Sequence, residues 1–423
     1  MKLNEHEQAI LAGNMGPARQ RAMAQQIEIG RFFDAEDMVE VAQAHIMADT
    51  ESLGEAGVVF LEDLADMPLN QCKVCIPTIT DPRGADFNAY QRINHDPVYV
   101  ELERRADQAF RALGILMTDT CINYQTMMPP VLGEHLAMGD TGVVIYSNSV
   151  QGARTNYEGG PSALAAALTG RTPRYGFHLD ERRRGTACFD VTHQPATWTE
   201  WGALGGLVGR KMASYYEVPV INGIHGPAPT SDDLKHFGAA LASYGSTALF
   251  HMVGVTPEAP DLQTVFDGPA PDPTKICKAD FEGFLAGYGA ADDALDVVVF
   301  AAPQLSLVEM GQVAALCEGR SRASGTDLVV CTSAQVYGDA ARMGYVEAIE
   351  GFGGTVLTGT CFYQQYAREI GEANGWTRLL SNSAKIVNIL GGYGYRPALA
   401  SMADCVASAE AGVILPAGER GTA

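Results

Sequence analysis

Apolar positions along the chain follow two rhythms. In the first 60 residues they recur at helical spacing. Asn4 is placed to cap a helix over residues 5–12 that Gly13 ends, and further helices are predicted over 18–31 and 36–47. From Val58 short apolar runs divided by turn residues take over: VVFLEDLA, CKVCIPTIT, ILMTDTC and GVVIYSN, alternating with helix-like stretches such as 98–113. Helices over 198–216 and 231–244 flank the strand VPVINGI, and ALFHMVGVTPEA reads as a strand running into a loop. Prolines 257, 260, 269, 271 and 273 mark a Pro-rich insertion or linker extending to about residue 280. Beyond it the strands LDVVVFAA, DLVVCTS and GTVLTGTC are separated by helices over 306–317 and 334–352. This alternation predicts an α/β protein with mostly parallel strands.

A chain of 423 residues exceeds one small core, so two or three lobes are expected. A composition 47% hydrophobic and 19% charged is that of a folded protein. The net charge of -21 repels phosphate backbones and argues against nucleic acid as a partner. No uninterrupted apolar stretch is long enough for a membrane span, and the N-terminus lacks the apolar core of a secretory signal. A cytoplasmic location is therefore expected. Nine cysteines, an odd and scattered number, speak against a disulfide framework.

In open α/β sheets ligands gather beyond the carboxyl ends of strands. Cys121, Cys331 and Cys361 each close a predicted strand and enter a polar or glycine-containing turn, which makes them candidate metal ligands; buried thiols at strand ends are the plainer reading. Cys72 and Cys75 form a CxxC inside a predicted strand, where alternation puts them on opposite faces, so a structural role is expected.

Several segments resemble the aconitase X family: AQAHIMAD around His45, TDTCINY at 118–124, YSNSVQGARTNYEGGP from Tyr146, LFHMVGVTPEA at 249–259, PQLS at 303–306, TGTC at 358–361 and SNSAKI at 381–386. They span nearly the whole chain. The resemblance implies an iron–sulfur hydro-lyase with an aconitase-like, multi-lobed, three-layer α/β/α arrangement, of which this chain is the large, catalytic part. It also implies a small swivelling domain, expected here as a separate subunit, which in aconitase-type enzymes brings a serine to the active site. Two dehydrations are known in the family, of cis-3-hydroxy-L-proline and of mevalonate 5-phosphate. Members of the second type tend to carry Cys-Pro-His where this chain has Ala302-Pro303-Gln304. Loss of that thiol leaves Cys331 to substitute, favouring a [2Fe-2S] centre over a larger cluster, and hydroxyproline over the phosphate ester. A binding or assembly subunit with structural metal or none is the third reading.

Within that reaction Arg154 is the candidate carboxylate clamp, because guanidinium grips carboxylate bidentately, with an internal salt bridge as the alternative. Ser147, Asn148, Ser149 and Thr155 supply short donors beside it; Asn148 could instead be a turn residue. Ser149, Arg154 and Glu258 form the catalytic set, Glu258 as base or amine ligand unless it serves only a helix terminus. His45 and His251 are either substrate contacts or satisfied core histidines, His45 lying on a predicted helix. Ser383 and Lys385 contact substrate or partner, or are solvated surface.

Overall fold

A computed structural model of the protein describes residues 1–416 apart from Ala213 and Asp292. Its sheets are parallel but for one two-stranded antiparallel ribbon, so the α/β expectation holds. Three parallel sheets mark three lobes. The first has three strands, with Ala44–Ile46 between Thr78–Thr80 and Ala137–Met138. The second orders His251–Met252, Pro219–Asn222, Ala187–Val191 and Thr274–Ile276 side by side. The third has five strands, in the order Thr355–Thr358, Asp327–Thr332, Val297–Leu305, Arg378–Ser381 and Arg396–Leu399. The Pro-rich segment joins the two edge strands of the second sheet and carries one short helix, Leu262–Val265.

The central strand of the third lobe shows why a continuous apolar run becomes a strand covered on both faces. All nine residues of Val297–Leu305 are buried, each large apolar side chain contributing about 1.5–3 kcal/mol. The helix after it starts on a capping box, in which Ser306 accepts from Glu309 N–H and Glu309 accepts from Ser306 N–H. In the second lobe the glycine-rich helix Trp198–Gly209 lies directly against the helix Ser231–Gly245. A Cβ at Gly205 would meet the Phe237 carbonyl oxygen at 2.2 Å, so the approach requires glycine. One core runs unbroken through the second and third lobes and into the first from Ile93 onward, while a second core fills the first lobe beneath helices Pro17–Phe32 and Pro97–Ala112.

Five expectations change. ILMTDTC forms no strand but a single bridge, Leu116 to Ile79, so Cys121 follows irregular chain. Residues 36–47 are not helical: they form the strands Met38–Glu40 and Ala44–Ile46, so His45 sits on a central strand. VVFLEDLA belongs to the helix Thr50–Ala65, whose outer side leaves Val59 and Phe60 exposed. GVVIYSN lies in the helix Thr141–Ser149, in which every residue after Thr141 is buried; an apolar run without a polar face carries no periodicity to distinguish helix from strand. Cys72 ends a single helical turn and Cys75 is exposed in irregular chain, so the CxxC forms no strand.

Candidate active site

The carboxyl ends of the first and third sheets face one another, joined where Arg83 bridges to Thr360. Arg83 donates to Asp119 Oδ2 at 2.9 Å and to the Thr358 carbonyl at 3.1 Å. Gly359, between Thr358 and Thr360, adopts φ +70°, and a Cβ there would stand 3.0 Å from both the Arg83 guanidinium and the Asp119 side chain.

The three candidate thiols meet at this junction. Cys121 follows the first-lobe loop after Leu116, Cys331 is the penultimate residue of Asp327–Thr332, and Cys361 follows the Gly359 turn; all are buried. The Cys361 thiol beside Cys121, then burial, pushes the Cys121 thiol well above the usual range. Burial pushes Cys331 up to about 12, although Thr360 Oγ1 donates to its sulfur at 3.9 Å. Among the described residues no three His, Cys, Asp or Glu side chains close on a single ion.

Sequence reasoning missed the acidic groups around them. Asp81 directly follows the strand Thr78–Thr80, and Asp140 stands two residues beyond Ala137–Met138. Burial first, then the fields of Asp140 and Cys121, holds the Asp81 carboxyl well above the usual carboxylate range. Its Oδ2 accepts from Gln364 at 2.7 Å, while Oδ1 has no hydrogen-bond partner and lies 3.6 Å from His45 Nε2. Asp140 caps the helix Thr141–Ser149 through Oδ2 and turns Oδ1 toward Tyr363 and Lys385, at 3.5 and 3.7 Å. Burial works against the Lys385 charge, but the negative groups around it, Asp140 foremost, raise its pKa. His45 Nε2 bonds the Thr120 carbonyl at 2.8 Å, and burial lowers its pKa. Ser383 caps the helix Ala384–Leu390 and donates to the Ala302 carbonyl at 2.6 Å. Buried polar atoms left unpartnered crowd this end: His45 Nδ1, Asp81 Oδ1, Gln304 Oε1, Gln364 Oε1, and both amide atoms of Asn123 and of Gln365. Such density marks a seat for something further. The strand-end rule that found Cys331 and Cys361 also reaches Asp81 and Asp140.

The other expected site residues gather elsewhere. Helix Thr141–Ser149 is about 13 Å long, and at its far end lies a knot around Arg183. Arg183 pairs with Glu258 (Nε to Oε1 3.0 Å), donates to the Asn148 carbonyl at 2.9 Å and reaches the Phe177 carbonyl at 3.1 Å. Asn148 exchanges bonds with Thr155, and Ser149 Oγ accepts from Phe250 N–H at 2.8 Å. Arg154 is ion-paired with Asp180 and donates to the His178 carbonyl. His251 Nε2 bonds the Arg183 carbonyl at 2.6 Å. Ser147 Oγ is buried without a partner. Thus Cys121, Cys331, Cys361, His45, Ser383 and Lys385 come together at one end, and Asn148, Ser149, Arg154, Thr155 and Glu258 at the other.

Known proteins share this architecture over the whole chain. The crystal structure of Thermococcus kodakaraensis aconitase X in its holo-form superposes with a TM-score of 0.85, covering 97% of this chain and 100% of that one at 29% identity. A phosphomevalonate dehydratase large subunit of Methanothermobacter thermautotrophicus is 33% identical over 92% of this chain and 94% of its own. A cis-3-hydroxy-L-proline dehydratase of Pseudomonas aeruginosa is 32% identical over 97% of this chain and 70% of its own length. Family models for the first, second and third domains of aconitase X match residues 1–181, 185–285 and 295–411, tracking the three sheets. With fold, domain order and sequence in agreement, the chain belongs to the aconitase X family.

Proposed function

We propose that this chain is the catalytic large subunit of a hydro-lyase that dehydrates cis-3-hydroxy-L-proline. The observation that carries the reading is the set of groups at the thiol end: one buried ammonium, Lys385, among the buried carboxyl groups of Asp81, Asp140 and Asp49, with Asp119 already paired to Arg83. A zwitterionic amino acid matches that inventory, its carboxylate on Lys385 Nζ and its ring ammonium on the unpartnered Asp81 Oδ1. Mevalonate 5-phosphate carries a carboxylate and a phosphate, and would bring about three negative charges to a site already acidic. Arg83, Arg154 and Arg183 are engaged by Asp119, Asp180 and Glu258.

Three buried thiols, two from loops and one from the end of a strand, with unpartnered polar atoms around them, fit an iron–sulfur cluster held by Cys121, Cys331 and Cys361, a [2Fe-2S] centre being favoured. When bound, such a group supplies Lewis acidity toward a departing hydroxyl. The chain's own residues orient the substrate: Lys385, held by Thr141 at 3.2 Å and Asp140, sets the carboxylate, and the closed packing excludes water. Relatives named large subunits support a small partner subunit.

A second reading, dehydration of mevalonate 5-phosphate, is favoured by the archaeal relatives that bear the phosphomevalonate name. The test is anaerobic co-purification with a small subunit, iron and sulfide analysis, and assay of both substrates. Turnover of the phosphate ester alone would sink the charge argument. Absence of iron and sulfide would sink the cluster and leave a binding or assembly subunit.

A further inference from the structure

Gln304 lies wholly buried in the strand Val297–Leu305, beside the cis peptide between Ala302 and Pro303. Its amide nitrogen reaches three backbone carbonyls: Asp119 at 3.0 Å, Thr360 at 3.1 Å and Thr332 at 3.4 Å. Each carbonyl stands within two residues of a different thiol, Cys121, Cys361 and Cys331. An NH2 group has two hydrogens, so the two short contacts are full bonds and the third is shared. The opposite amide orientation would aim an oxygen at three oxygens, so the neighbours fix the flip. The Gln304 backbone N–H also donates to Cys121 Sγ at 3.4 Å.

The backbone that carries this side chain is pinned on both sides. Ser383 Oγ donates to the Ala302 carbonyl at 2.6 Å, Thr332 Oγ1 to that of Leu305 at 2.7 Å, and Lys235 Nζ to that of Gln304 at 3.4 Å. Lys235 is itself buried between Glu309 and Asp232. Glu309 also receives His236 Nε2 at 2.6 Å, and Asp232 receives Ser306 Oγ at 2.8 Å. A charge network linking the second and third lobes therefore holds Gln304 in place.

We propose that Gln304 is a positioning residue, the cross-brace that fixes the Cys121 and Cys361 segments against the strand that carries Cys331. Its consequence for a metal group rests on the cluster reading above, but the brace itself is a property of the iron-free chain. Removing the amide donors strands the buried Asp119 and Thr360 carbonyls, while that of Thr332 keeps the Gly359 N–H at 2.8 Å, and frees the Cys121 and Cys361 segments to drift from the Thr332 strand.

The test compares Gln304→Glu, equal in shape but without the NH2 donors, and Gln304→Met, apolar and of similar length, with the parent chain. Hydrogen exchange on the iron-free proteins is expected to speed by ~10-fold or more over 118–122 and 358–362, and to stay unchanged over 176–184. After anaerobic reconstitution with iron and sulfide, both variants are expected to hold less iron and to give altered visible and electron-paramagnetic spectra. Parent-like exchange and spectra in both variants overturn the proposal, as does loosening spread evenly over the whole chain, which is the mark of a plain core residue. A parent chain that binds no iron removes the cluster reading alone, since the exchange measurement still judges the brace.

Discussion

The two ends of the helix Thr141–Ser149 hold similar residue types and differ in how well those residues are partnered. At the Ser149 end, Arg183 uses all its donor nitrogens on Glu258, Asn148 and Phe177, and Arg154 beside Asp180 holds that carboxyl below its usual range. At the Asp140 end, burial holds Asp81 well up and Asp49 up to about 6, and unpartnered polar atoms are dense. The knot pairs its charges but still leaves Ser147 Oγ, His178 Nε2 and His251 Nδ1 unpartnered, whereas the Asp140 end leaves carboxyl and amide atoms unpartnered around Lys385.

The comparison breaks most sharply at the thiols. Cys361→Ala is expected to abolish dehydration and iron binding while leaving the unfolding midpoint close to the parent's; retained iron would remove Cys361 from the ligand set. Lys385→Met should keep iron and lower kcat/KM by ~10²-fold, with Lys385→Arg giving only partial recovery because a planar fork does not fit an ammonium's seat. Steady-state kinetics decides it. In the knot the reverse holds. Arg183→Met leaves Glu258 without its cation and should cost about 3 kcal/mol in denaturant unfolding, with the iron spectrum intact. Lost catalysis at parental stability would exchange the roles of the two ends.

The smallest effect expected is one of pH. Burial raises the Glu103 carboxyl to about 8, against hydrogen bonds from Thr50 N–H and Oγ1 at 3.0 and 2.7 Å. The folded chain keeps a proton there that the unfolded chain sheds near ~4.3. Stability from this group is full below that value and is lost as pH climbs to about 8. Glu103→Gln retains the acceptor for Thr50 and removes the loss. The iron-free variant should therefore be more stable than the parent at pH 9 and no more stable at pH 4. An equal gain at both pH values would show that ionisation is not the cause.

Much of the third lobe could be read directly from the residues, because a nine-residue apolar strand followed by a Ser306–Glu309 capping box carries both its own element and its boundary. The rule about strand ends reached Cys331 and Cys361, at and just past the strands Asp327–Thr332 and Thr355–Thr358, whereas Cys121 follows a lone bridge at Leu116 and not the strand expected. Helix Thr141–Ser149 escaped because burial on every side erases periodicity, and the strands near His45 escaped because three residues are too few to alternate. Arg154 and Glu258 had the right chemistry for a substrate clamp, but their partners Asp180 and Arg183 lie 26 and 75 residues away and nothing local announces them. Asp140 and Lys385, 245 residues apart, pose the same difficulty.

The staple from Arg83 to Thr358 spans 275 residues. At ribosomal rates of ~5–20 residues per second, the first half of this junction emerges tens of seconds before the second exists. Throughout that interval Cys121 belongs to a nascent chain whose Cys361 has not yet been translated. The order of synthesis therefore makes closure of the thiol centre a late event.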